Sequence, residues 1–281
     1  MTTPDNDRQM TSFGKTWFVL SPFLIYFIVQ DAAHLILYYL LDLSMKYWGE
    51  GYRSWMYEQA SVVSYVITGL SLAIGFGSIF LIAKKEISKA DMMGQAEEAG
   101  HERTDTTKLV TRYMFLGILA FTSAVGLNML FSLIGFTAGS ESYQEVAANQ
   151  FGAPFLLGIL LYGLIAPIVE ETVFRGIIYN RMKQHFPVWV AMIVSSLLFG
   201  LYHENVVQGV YAALLGLMTV YWYRRYQSFV APVLFHSVAN ISIYVGFHDA
   251  SVVEMAVTPF NCVIFLAISV IVTVYMIKRN L

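Results

Sequence analysis

Apolar runs of about 20 residues recur along almost the whole chain, each close to the length a helix needs to cross the hydrocarbon core of a bilayer. They are continuous instead of alternating, which disfavours a transmembrane β-barrel. A chain of 281 residues with 57% hydrophobic and 13% charged residues is also far more apolar than a soluble domain of that length. The fold class that follows is all-α: a polytopic transmembrane helical bundle. We read about eight spans, near 16–44, 56–83, 110–137, 153–184, 187–203, 206–226, 229–247 and 257–277.

Charge placement orients the bundle. Arg8 and Lys15 precede the first span, and Lys84, Lys85, Lys89, Arg103, Lys108 and Arg112 surround the one long polar connection, 84–109. Arg181 and Lys183, then Arg224 and Arg225, then Lys278 and Arg279 close the fourth, sixth and eighth spans. Only Lys46 and Arg53 fall on the other side. The positive-inside rule therefore predicts that both termini are cytoplasmic. The chain divides into a polar tail (1–15), supporting spans with the cytoplasmic connection (16–149), a segment rich in intramembrane polar residues (150–247) and a last span (248–281). The polar N-terminus lacks a signal-peptide pattern, so the first span is expected to be retained. The lone Cys262, in the last apolar run, is expected to be a small core residue.

The stretch "LIAPIVEETVFRGIIYNRMK", 164–183, begins as a span and then carries Glu170, Glu171 and Arg175. Each charge at mid-membrane costs about 2.5–3.5 kcal/mol on insertion scales. Glu171 and Arg175 are four apart and can pair on one helix face. That leaves Glu170 spare, next to a kink expected at Pro167. "FGLYH" sets Phe199 and His203 at i and i+4, and "HSVAN" does the same for His236 and Asn240. From the hairpin pivot at Phe186, Glu170 lies 16 residues back and His203 lies 17 forward, so regular helices bring them to similar depth. His236 lies 11 residues beyond Arg225, as Glu170 lies 11 before Arg181, so all four stations can converge on one cavity. Asp31 and His34 in the first span, three apart, are expected to form a structural or substrate-channel pair. Gly209, Ala212, Ala213 and Gly216 give the sixth span a small face for close packing.

In this order "EETVFR", "FGLYH" and "HSVAN" resemble the Glu-Glu-x-x-x-Arg, Phe-x-x-x-His and His-x-x-x-Asn motifs of the CPBP (CAAX protease and bacteriocin-processing, or Abi) family of intramembrane proteases. The resemblance covers about 150–245. It implies a peptide-bond hydrolase in which Glu170, with His203, activates a water. Glu171 and Arg175 would orient and neutralise the site, and His236 and Asn240 would donate to the oxyanion. Zinc on Glu170, His203, His236 and Asn240 and a metal-free glutamate mechanism both stay open, since no His-Glu-x-x-His occurs. The implied partners are a peptide or lipidated peptide and membrane lipid, not nucleic acid, in a multi-pass protein of a bacterial plasma membrane. Two other classes remain: a non-proteolytic immunity factor or sensor-kinase regulator on the same fold, and a proton- or ion-coupled transporter. The absence of paired inverted repeats counts against the transporter.

Overall fold

The computed structural model describes residues 10–98, 106–203 and 205–281. Arg8, in the N-terminal tail, and His101 and Arg103, in the long connection, lie outside the described residues. Those residues form eleven helices. They are α1 (Ser12–Tyr47), α2 (Gly49–Glu58), α3 (Ala60–Glu98), α4 (Thr106–Leu133), α5 (Glu141–Phe151), α6 (Phe155–His185), α7 (Val188–Tyr202), α8 (Val206–Tyr226), α9 (Val230–Gly246), α10 (Ala250–Ala256) and α11 (Pro259–Lys278).

Side-chain caps set several starts. Thr11, Ser140, Asn205, Asp249 and Thr258 each accept a backbone N–H from the first turn of α1, α5, α8, α10 and α11. Gly135, at φ +74°, turns the chain after α4, in a region of backbone space glycine enters without strain.

All eight apolar segments are helical, and six helices (α1, α3, α4, α6, α8 and α11) are long and apolar enough to cross a bilayer. The other two are short. The 15 residues of α7 and 17 of α9 rise about 22 and 25 Å, less than the roughly 30 Å hydrocarbon core. The connection 84–109, whose mixed-charge sequence permits a helix, is helical as far as Glu98, because α3 runs on through a stretch without Gly or Pro before Gly94. The short helices α2, α5 and α10 also lie where the sequence was read as connection.

α6 is central. It packs on α1, α3, α7 and α9, while α4 lies along α9 and α11, and α7 along α8. One core gathers Tyr26, Ile79, Phe174, Ile177, Ile178 and Phe199, and a second gathers Leu116, Leu119, Trp222, Phe235 and Met276. The outer faces of α1 and α11 expose Leu24, Ile28, Leu35, Val263, Val270 and Ile271, as lipid contact requires. In α1, the His34 ring lies 4.8 Å from the Tyr38 ring and is tilted 57° to it. The small face of α8 does its expected work, since a Cβ on Gly200 of α7 would stand 2.5 Å from the Gly209 carbonyl.

Another close approach gives a stability prediction. A Cβ on Gly158 would meet Tyr244 Oη at 2.0 Å, and that hydroxyl donates to the Ala153 carbonyl. Gly158→Ala is therefore expected to force α6 from α9 and cost about 1–3 kcal/mol. Thermal unfolding in detergent measures it, and an unchanged midpoint would mean that the two helices separate freely.

Candidate active site

α6 is not one regular helix. Ile159–Ile165 and Thr172–Tyr179 are wound as π-helix, on either side of the α-helical Ala166–Glu171. The first wide turn follows from Pro167, whose ring excludes a normal helical approach to residue 163 and whose nitrogen cannot donate. The Ala166 N–H accordingly reaches back to Leu161. That leaves the Tyr162 carbonyl with no backbone donor. Its α-helical partner is engaged elsewhere, and its π-helical partner would be Pro167.

Asn240 supplies the missing donor: its Nδ2 gives a hydrogen bond to the Tyr162 carbonyl at 3.0 Å. One amide hydrogen of Asn240 is thus structural, and the second remains for the cavity that Asn240 lines. Asn240→Asp removes the donor and is expected to cost about 1–3 kcal/mol, read as earlier thermal unfolding. A variant as stable as wild type would show that the carbonyl needs no partner.

Glu171 and Arg175 are fully buried and pair at 2.9 Å, as the spacing predicts. The guanidinium also donates to the Gly216 carbonyl at 3.0 Å and lies 4.6 Å from the Phe199 ring centroid. Glycine is needed at 216, because a Cβ there would stand 2.8 Å from that guanidinium. The Oε1 atom that holds Arg175 also receives His236 Nδ1 at 2.8 Å. A carboxylate only accepts, so Nδ1 carries the proton and Nε2 points elsewhere. It faces Glu170 Oε2 at 3.7 Å, too long for a direct hydrogen bond. His236 therefore stands between the two glutamates.

His203 caps the C-terminus of α7 with extended backbone, and its Nδ1 bonds the Phe199 carbonyl at 2.9 Å. By the same logic its Nε2 is the free acceptor. A helix that stops short inside a bilayer is tolerated where its end borders a polar cavity. α7 stops at such a place.

Glu170, His203, His236 and Asn240 all line one cavity of about 260 Å³. Glu171 and Arg175 sit behind its wall. The depth argument from sequence thus brings the four stations together, but the histidine close to the glutamates is His236, not the expected His203. A polar wall not singled out in the sequence completes the cavity: Asn128 of α4, Tyr143 and Gln150 of α5, and Gln208 and Tyr211 of α8. The signal that could have found α5 is its helical spacing, which puts Tyr143, Val146, Ala147 and Gln150 on one face.

The zinc alternative can be tested on these donors. Among the described residues, no three His, Cys, Asp or Glu side chains gather around a point that could hold an ion. Glu170 Oε2 and His236 Nε2 approach one another at 3.7 Å, and the Nδ1 bond to Glu171 leaves Nε2 free to ligate, but these are only two donors. As arranged, the residues do not form a three-ligand zinc site.

Residues 152–242 match the family described as "Type II CAAX prenyl endopeptidase Rce1-like". The chain is 22% identical over 128 residues, 46% of its length, to the Bacillus subtilis (strain 168) protein named "Putative membrane peptidase YdiL". It spans about half, 52%, of that relative. It is 23% identical over 208 residues to an Escherichia coli protein named only as "Uncharacterized 24.3 kDa protein", covering 72% of this chain and 85% of that one. No solved structure matches. The matched segment contains both glutamates, both cavity histidines and Asn240, so the part of the chain that carries the cavity site is the part that is similar to the Rce1-like type II CAAX prenyl endopeptidase family.

Proposed function

We propose that the chain is an intramembrane endopeptidase that hydrolyses a peptide bond with a water activated by Glu170. The carrying observation is the opposition of Glu170 and His236 across one cavity, with His236 held from behind by Glu171. In this reading Glu170 takes a proton from water, with His203 Nε2 accepting the second water hydrogen and so aiming the oxygen. The water oxygen bonds to the scissile carbonyl carbon, and the carbonyl π-electrons move to its oxygen. Asn240, through its second amide hydrogen, and His236, through Nε2–H as imidazolium, donate to that oxyanion. Before attack the two carboxylates balance Arg175 and His236, and after it Glu171 and the oxyanion do. Collapse breaks the C–N bond, and Glu170 returns its proton to the leaving amine.

The substrate is a peptide, and the polar residues that line the cavity beyond the glutamates suit its backbone amides. An expressing strain carrying wild-type protein, compared with one carrying Glu170→Ala, should show new protein termini that depend on Glu170. Identical terminomes would remove the hydrolase reading.

A further inference from the structure

The basic ends of the spans meet on one face. Arg181 at the end of α6 pairs with Glu86 of α3 at 2.9 Å and lies 4.2 Å from the ring centroid of Phe18 in α1. Arg112 of α4 donates to the Arg225 carbonyl at the end of α8, and Arg225 donates to Asn280 just after α11. These contacts tie α1, α3 and α6 into one group and α4, α8 and α11 into another, with Lys or Arg near the tied end of each helix.

The cavity lies at the other end of the same helices. Its partly exposed lining residues include Thr137 after α4, Gln150 of α5, Gln208 in the first turn of α8 and Ile243 in the last turn of α9. Toward the basic layer its lining is buried, at Leu215, Thr219 and Phe235. Below that, a second cavity lined by Glu86, Lys89 and Asn180 faces the basic layer, and it shares no lining residue with the first. Arg175, Tyr179, Asn180, Trp222 and Tyr223 are each at most 3% exposed, and Asn180 donates to the Tyr223 hydroxyl at 2.9 Å. No lysine or arginine occurs from Tyr113 to Phe174, which includes the whole α5 rim, or from Tyr226 to Ile277.

Basic residues flank the cytoplasmic ends of membrane helices. We propose that the cavity is entered from the extracytoplasmic face, so that its substrate is a peptide segment of an exported or membrane-anchored protein exposed outside the cytoplasm. A lipidated C-terminal tail of a cytosolic protein cannot reach Glu170 in this arrangement. The entry side rests on charge and packing alone; the substrate class also rests on the hydrolase reading.

Two readouts separate these claims. Ala147→Cys in α5 and, as a second rim position, Thr137→Cys are made in a Cys262→Ser background, with Lys85→Cys reporting the basic layer. On intact cells a membrane-impermeant maleimide should label both rim positions, and should label position 85 only after permeabilisation. Labelling of position 85 from outside, or of both rim positions only after permeabilisation, overturns the entry side. Glu170-dependent termini should map to extracytoplasmic segments, and termini confined to cytosolic tails would overturn the substrate class. Outward labelling with no Glu170-dependent termini would instead remove the hydrolase reading and leave the entry side standing.

Discussion

Glu170→Gln is expected to reduce peptide cleavage by about 10²–10⁴-fold, the usual loss when a general base is removed, with folding preserved. The two halves have separate physical grounds. Glutamine is nearly isosteric but cannot take the water proton. Meanwhile the Glu170 side chain is 14% exposed in the cavity and stands 3.7 Å from His236, too far for a direct hydrogen bond, so glutamine breaks no bond to His236 that holds the bundle. The yield of Glu170-dependent termini and thermal unfolding in detergent, measured on the same variant, check the pair. Retention of more than about a tenth of wild-type cleavage would remove Glu170 as the base. A large drop in unfolding temperature would show that its charge holds the fold.

The largest stability effect is expected at the other glutamate. Arg175→Met leaves the Glu171 carboxylate fully buried with no guanidinium and should cost about 3–5 kcal/mol. The pair is not an optimised fork: Glu171 Oε2 and Arg175 Nε are both buried with no hydrogen-bond partner. Replacing both members should therefore be far milder, and Glu171→Gln with Arg175→Met is expected to recover most of the lost stability. Cleavage should not recover. Glu171 Oε1 is shared between Arg175 and His236 Nδ1, so the charge that neutralises the arginine also holds the histidine opposite Glu170. Unfolding midpoints and cleavage yields for the two single variants and the double variant form the test. A double variant that cleaves at the wild-type rate would reduce Glu171 and Arg175 to a structural pair, leaving Glu170, His203, His236 and Asn240 as the site.

The helical fold and the residues of the site were legible because their signals are local or nearly so. Twenty-residue apolar runs, the i to i+4 spacing of Glu171 and Arg175, and the cap residues act within a few turns of one helix. Even the shared depth of Glu170 and His203 needed only a rise per residue and one hairpin. The charged stretch after residue 84 is legible in the same way: its residues permit a helix, and it prolongs α3 to Glu98.

What tertiary structure decided is which polar groups face one another. Pro167 announces a disturbed helix, but its remedy is a π-turn that strips the Tyr162 carbonyl of a backbone donor, and Asn240 fills that need from 78 residues away. His236 displaces His203 as the neighbour of the glutamates for a similar reason. The wide turns rotate the side chains that follow them by an amount that regular-helix arithmetic omits, and α9 packs against the face so presented. A sequence lists the charges a membrane must neutralise, because the cost of burying each one is a property of the residue. Which partner neutralises which depends on angles and distances between helices, and those come from the packing of the whole bundle.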